Sequence, residues 1–329
     1  MEQGWIRGRA RAAGGSRAYR LWAPATIETE KASPLVMLLH GCTLDAREMA
    51  GISGMNEVAD ANRFLVVYPE QSRRANLLKC WNWFNPKHQT RGRGEPSILA
   101  AIVEQVCLRF RVDSDRIYVA GVSAGGAMAV IAGATYPDLF AAIAVCAGGE
   151  FRAATSVSTG LAVMKHGGPS PPQQGKAAFE AMGPGLARKK KRRMPVIAFH
   201  GTADARVNPV NTQQIIAQWR ATNTCLAAQQ GETDFSMSEQ TVVGQVPAGY
   251  AYERRIYTDQ TGELLMESWI VDGLGHAWPG SPEPHKYGDP KGPSAAREIW
   301  RFFNQAGSRL RVSAIPAQVT EPTSSGTTA

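Results

Sequence analysis

Five short apolar runs, with a helical stretch after most of them, constrain this chain more than any other feature. They are residues 35–39 (LVMLL), 64–68 (FLVVY), 117–120 (IYVA), 141–146 (AAIAVC) and 196–199 (VIAF). Unbroken hydrophobicity of this length marks strands buried on both faces, as in a parallel sheet. Residues 48–62, 98–110, 125–136, 209–221 and 294–304 have helical spacing. The alternation predicts an α/β fold, a mostly parallel sheet with helices on both faces. Residues 16–23 alternate enough for an edge strand, and 251–257 and 264–271 flank a turn-like TDQTGE stretch.

The rhythm breaks at 149–194, which is rich in Gly and Pro and ends in a basic run. This reads as an insertion over the carboxyl edge of the sheet, part lid and part flexible loop. Residues 1–15 read as a basic N-terminal extension, 16–305 as one catalytic domain, and 306–329, rich in Pro, Ser, Thr and Gly, as a disordered tail. No internal repeat is present.

Charge is local. The chain of 329 residues has a formal net charge of +8. Residues 188–193 (RKKKRR) carry +6, and the first twenty carry +4 from five Arg against one Glu, leaving −2 elsewhere. A nucleic-acid domain would spread its basic groups over a folded face, so no nucleic-acid partner is expected. No apolar run is long enough to span a membrane. Five cysteines are too few for a disulfide scaffold, and no Cys/His spacing suits zinc. The start lacks an apolar leader segment, which reads as a cytoplasmic protein or one whose leader has been removed.

The chemistry centres on Gly121-Val122-Ser123-Ala124-Gly125, between the strand 117–120 and a helix of small residues. A serine on such a strand-to-helix turn stands exposed as a nucleophile. It needs a base, and the base needs an orienting acid. His276, in a Gly-rich loop after 264–271, is the expected base, and Asp204, after 196–199, the expected acid. Asp272 is the rival acid, too near His276 in sequence. His200 and His40 are expected to brace their loops, and His88, His166 and His285 to be surface or lid residues. The oxygen anion of an acyl-transfer intermediate needs backbone donors, here the Ala124 N–H and the Cys42 N–H. No metal or organic cofactor is required.

Seven pieces together resemble the poly(3-hydroxybutyrate) depolymerase family of esterases, within the α/β-hydrolase fold. They are LLHGCT (38–43), CWNWFNP (80–86), RGRGEP (91–96), RIYVAGVSAGGAMA (116–129), ATYPDLFAA (134–142), FHGTAD (199–204) and GLGHAWPG (273–280). The resemblance implies a serine esterase with Ser123, Asp204 and His276 as its triad. It also implies a Cys42 oxyanion amide and a Cys42–Cys80 disulfide beside the site. It implies secretion, and substrates that are short hydroxyalkanoate polyesters or similar short-acyl esters, with feruloyl and acetylxylan esters as the alternative. Trp81, Trp83 and Phe84 suit either a substrate groove or a cluster packing their loop. Trp278 is expected to shape the leaving-group side. Cys107 and Cys225 read as helix-buried thiols and Cys146 as a strand-core one. The oligomeric state is open.

Overall fold

The computed structural model describes residues 4–28, 30–186 and 193–306. Its ten-stranded sheet comprises β1 (Gly4–Ala12), β2 (Gly15–Ala23), β3 (Ser33–Leu39), β4 (Leu65–Glu70), β5 (Val112–Val122), β6 (Ile143–Cys146), β7 (Val196–Gly201), β8 (Met237–Gln245), β9 (Ala251–Asp259) and β10 (Leu264–Val271). The helices are α1 (Ala46–Ser53), α2 (Met55–Asn62), α3 (Gly94–Arg109), α4 (Ala124–Thr135), α5 (Val157–His166), α6 (Pro171–Leu186), α7 (Val210–Gln229) and α8 (Ala295–Gln305).

The spatial order is β1-β2-β4-β3-β5-β6-β7-β10-β9-β8. The six strands from β4 to β10 run parallel. Antiparallel pairs extend both sides, β2 and β1 beyond β4, β9 and β8 beyond β10. Alternate side chains along each strand feed two cores. In β3, Leu35, Met37 and Leu39 pack with α3, α4, α6 and α7, while Val36 and Leu38 pack with α1, α2 and α8. Every residue of α4 is buried, which its run of Ala and Gly permits. On the other face α8 stacks Trp300 on Phe64 with ring centroids 4.0 Å apart, and Phe303 on Tyr118 at 4.5 Å.

Several expectations are corrected. Residues 4–12 are a sheet strand rather than an extension, because Ile6 and Ala10 supply an inward apolar face between arginines. The segment 16–23 is therefore the second strand, not the edge. The 149–194 insertion is largely helical: α5 and α6 occupy it, and Gly175 lets α6 approach the backbone of Gln218 on α7. Residues 48–62 form two helices, divided at Gly54. The strand β8 has no sequence signature, since most of its side chains are exposed and its order comes from pairing with β9. Cys107 is exposed and Cys225 half-buried; Cys146 lies in the core. The expected tail from 307 onward and the basic run through 192 lie outside the described residues. Arg193, the last of that run, ion-pairs with Glu232 and Asp259. Among the described residues no helix is long and apolar enough to cross a membrane.

Burial of Ile6 is worth about 2 kcal/mol, and β1 also covers Tyr19 and Leu21 of the core. Deleting residues 1–13 is expected to lower the melting temperature by at least several degrees, read by circular dichroism.

Candidate active site

The turn from β5 into α4 is built by close packing. Ser123 caps α4 with φ 57° and ψ −123°, a conformation that L-residues hold only when their surroundings impose it. The Ser123 amide donates to Cys146 O at 2.8 Å, and Ala127 N donates to Ser123 O at 3.0 Å. A Cβ on Gly121 would lie 2.3 Å from Gly125 O, and a Cβ on Gly125 would lie 2.4 Å from Leu39 O. Both positions must therefore lack a side chain, and their absence lets β3, β5 and α4 meet.

Three strand ends bring Ser123, Asp204 and His276 together, from β5, β7 and β10. The Ser123 hydroxyl donates to His276 Nε2 at 3.1 Å. His276 Nδ1–H donates to Asp204 Oδ2 at 2.7 Å. Asp204 Oδ1 accepts from the backbone amides of Arg206 at 2.8 Å and Val207 at 2.9 Å. The buried His200 braces the same carboxylate. Its Nε2–H is shared between Val207 O at 2.9 Å and Asp204 Oδ2 at 3.2 Å, and its Nδ1 accepts from Thr212 Oγ1 at 2.8 Å. Burial disfavours the Asp204 charge, but hydrogen bonds from His200, His276 and the Val207 amide outweigh it and hold the carboxyl well below the usual carboxylate range. Asp272, the rival acid, accepts instead from Thr202 Oγ1 at 2.9 Å. His88, His166 and His285 make no hydrogen bond to Ser123 or Asp204.

The loop after β3 is held by a buried polar chain that starts at His40, the expected brace, and continues through residues not expected from the sequence. Burial pushes His40 down to about 4, so its ring is neutral. Its Nδ1–H donates to Gly41 O at 2.7 Å, and its Nε2 accepts from Gln71 N at 3.0 Å. Glu95 Oε1 accepts from Gln71 Nε2 at 2.5 Å and Asn82 Nδ2 at 2.7 Å, and Arg17 ion-pairs with it at 3.2 Å. Glu95 and Gln71 carried no expectation. The one signal was Glu95 in RGRGEP, a charged residue opening an apolar helix. Cys42 and Cys80 are joined by a disulfide. Gly41 packs against Ser123: a Cβ there would stand 3.5 Å from Ser123 Cβ.

Ser123 opens into a narrow cleft of about 50 Å³, lined mainly by Cys42, Trp83, Ala127, Val163, Met164 and Val207. Ala124, next to the serine, and Asn211 of α7 complete parts of its wall. Val163 and Met164 come from α5, so the helical insertion forms one side. The three tryptophans separate. Trp83 lines the cleft, with Phe84 edge-on to it at 5.9 Å. Trp81 is fully buried and donates from Nε1 to His40 O at 3.1 Å, so it packs the loop instead of facing a groove. Trp278 is likewise fully buried, in the core beneath α8, and its closeness in sequence to His276 does not bring its ring to the cleft.

Behind the cleft wall, Glu150 follows Gly149 and is 2% exposed, with neither carboxyl oxygen hydrogen-bonded to protein. Burial pushes it up to about 8, so the folded protein keeps a proton that the unfolded chain releases above about 4.5. The folded state binds more protons across that window, so this group costs stability progressively as pH rises from 4.5 toward 8. Glu150→Gln is therefore expected to be more stable than the parent by a margin that grows between pH 5 and 8.5, measured by urea unfolding at each pH (about 4.5 and 8 being the bounding values). Gly125→Ala is expected to lower the melting temperature, because its Cβ would meet the backbone of Leu39 and His40, and to lose at least about 100-fold in turnover, because displacement of the serine by about 1 Å costs that much; steady-state kinetics beside thermal melts followed by circular dichroism test it.

The family model described as Esterase PHB depolymerase matches residues 17–239. Poly(3-hydroxyalkanoate) depolymerase C of Paucimonas lemoignei is 32% identical over 76% of this chain, and the chain spans only 56% of that relative's length. Feruloyl esterase B of Neurospora crassa is 27% identical over 78% of this chain and 82% of its own. An acetyl xylan esterase structure from Aspergillus awamori superposes with a TM-score of 0.67 over 92% of this chain and all of that one, at 17% identity, and so shares the α/β-hydrolase fold. The family match spans the strands that carry Ser123 and Asp204, and the chain belongs to the PHB depolymerase family of esterases.

Proposed function

We propose that the chain is a serine carboxylic-ester hydrolase acting through Ser123, His276 and Asp204 by way of an acyl-enzyme. The observation that carries this reading is the unbroken hydrogen-bond chain from Asp204 through His276 to a strained, cleft-facing serine. His276 accepts the Ser123 proton as Oγ attacks the ester carbonyl, then passes it to the leaving alcohol. Asp204, kept ionised by its donors, holds the imidazole tautomer and stabilises the imidazolium. The Cys42 and Ala124 amides are the oxyanion donors, supported by the two residues flanking Ser123 in the cleft. Water activated by His276 then releases the acid.

The cleft supports short acyl groups. Its volume is about 50 Å³, far below the several hundred needed to enclose a drug-sized ligand. A hydroxybutyryl unit at a polyester chain end, or an oligomer, suits it. Leu77 and Leu78 stand 84% and 63% exposed on the loop that the disulfide ties to the site, an apolar contact for a water-insoluble chain. Acetyl esters of plant polysaccharides are the second reading, favoured by the same small cleft; feruloyl esters require more room on this side. The disulfide supports a secreted protein, since thiols stay reduced in the cytoplasm.

Ser123→Ala is expected to lower hydrolysis of p-nitrophenyl butyrate by about 10⁶-fold with a melting temperature close to the parent, and Asp204→Asn by about 10⁴-fold with a lowered melting temperature, since the charge its donors stabilise is lost. Across a p-nitrophenyl series, kcat/KM should peak at two to four acyl carbons (about the capacity of the cleft). A Ser123→Ala variant as active as the parent overturns the reading.

A further inference from the structure

The hairpin β1–β2 presents a row of arginines that the ester chemistry does not use. Trp5, Arg7, Arg9 and Arg11 are the exposed positions of β1, alternating with the inward Ile6 and Ala10. Register places Arg20 opposite Arg7, Ala18 opposite Arg9 and Trp22 opposite Trp5, and opposed residues share a face. Arg47 on α1 and Arg74 after β4 flank the same face. None of these six guanidinium groups has a carboxylate partner among the described residues. The nearby acids are Glu57 and Asp60 at the tryptophan end, where Asp60 accepts from Trp22 Nε1 at 2.8 Å, and Glu70 at the other. Six guanidinium groups against three acids leave this face net positive, and its like charges repel one another, so an anionic ligand would relieve this.

We propose that this arginine-lined face binds a linear acidic polysaccharide. Three features select that occupant. First, Arg7 to Arg11 spans about 14 Å of extended strand with one guanidinium every second residue, a ladder suited to a polymer with one anionic group per repeat. Second, the row lies between two depressions. One, of about 570 Å³, runs between Trp5 and α1, and the other, of about 590 Å³, between Arg9, Ala18, Glu70 and Arg74. An exposed row flanked by two depressions suits a flexible chain better than a flat bilayer. Third, Trp5 meets Trp22 edge-on at 5.3 Å and Tyr68 tilted at 5.7 Å, so the aromatic rings gather at one end of the row and none interleaves with Arg7, Arg9 and Arg11 as a platform for successive stacked bases, which single-stranded nucleic acid requires. Arginine in place of lysine suits planar oxyanions, which it meets with two parallel hydrogen bonds.

The row also leads toward the site. Arg11 pairs with Ser16, and Ala18 with Glu70, the last residue of β4, so its basic end lies at the carboxyl edge where Ser123 opens. β1 stands four strand positions from β5, about 19 Å across the sheet. An anionic glycan held there would present its own ester substituents to the cleft. That docking role rests on the ester-hydrolase reading above, whereas the binding itself does not.

The test uses the full chain carrying Ser123→Ala, titrated calorimetrically with polygalacturonate and with dextran sulfate at 20 and 200 mM NaCl (roughly a ten-fold range of ionic strength). Binding should weaken steeply with salt, and Arg7→Gln/Arg9→Gln/Arg20→Gln should weaken it at least tenfold while keeping the parent melting temperature. The two polymers distinguish carboxylate from sulfate as the preferred anion, and tight binding of either supports the proposal. In the Ser123 background, the triple variant should hydrolyse p-nitrophenyl butyrate at the parent rate but lose its advantage on acetylated polygalacturonate. No binding, binding indifferent to the triple variant, or equal or tighter binding of poly(U) or phosphatidylserine vesicles overturns the proposal. Failure of the esterase reading would show separately, as a parent inactive on p-nitrophenyl butyrate.

Discussion

The constraint on which the site depends is the backbone of Ser123. Its φ of 57° and ψ of −123° place a non-glycine residue where local energetics oppose it. The turn survives because every surrounding contact is already committed. β6 takes its amide, α4 takes its carbonyl, and Gly121 and Gly125 close the gap to β3 and to each other. The strain is maintained by the packing of a whole sheet, and the reward is a hydroxyl standing free at the start of a buried helix.

The buried acids differ in the donors they gather. Asp204 receives two backbone amides and two imidazoles, and so stays charged although buried. Glu95 gathers Arg17, Gln71 and Asn82, and through Gln71 it steadies His40 under the loop that carries Cys42. Glu267 sits between Arg254 and Arg301 and ties β10, the strand that leads to the loop of His276, to β9 and α8. Glu150 has none of these donors, and burial leaves it protonated. The site therefore rests on polar networks reaching well beyond the residues that meet the substrate.

The parts legible in the sequence were those in which one short segment carries its own signal. The apolar runs named β3, β4, β5, β6 and β7, and a glycine-flanked serine after a strand named the turn at Ser123. Asp204 and His276 were readable because each follows a strand in a glycine-containing loop. What escaped depends on partners distant in the chain. β1 is polar by composition, and only pairing with β2 makes Ile6 and Ala10 core residues. β8 exists through its ladder with β9. The insertion reads as loop because its glycines and prolines suggest one, yet Gly175 serves close packing of α6 on α7.

By itself, then, the order of residues determined the α/β alternation, the strand-end positions of the serine, histidine and aspartate, and the family. These follow from hydrophobic periodicity and local turn chemistry, which act over a few residues. Tertiary structure alone decided which of three tryptophans faces the cleft, how small that cleft is, and that Glu95 and Gln71 support the loop of Cys42. It also gathered Arg20, Arg47 and Arg74 around the β1 row. Burial and pairing are properties of residues tens to hundreds of positions apart, and no local pattern encodes where such residues will meet.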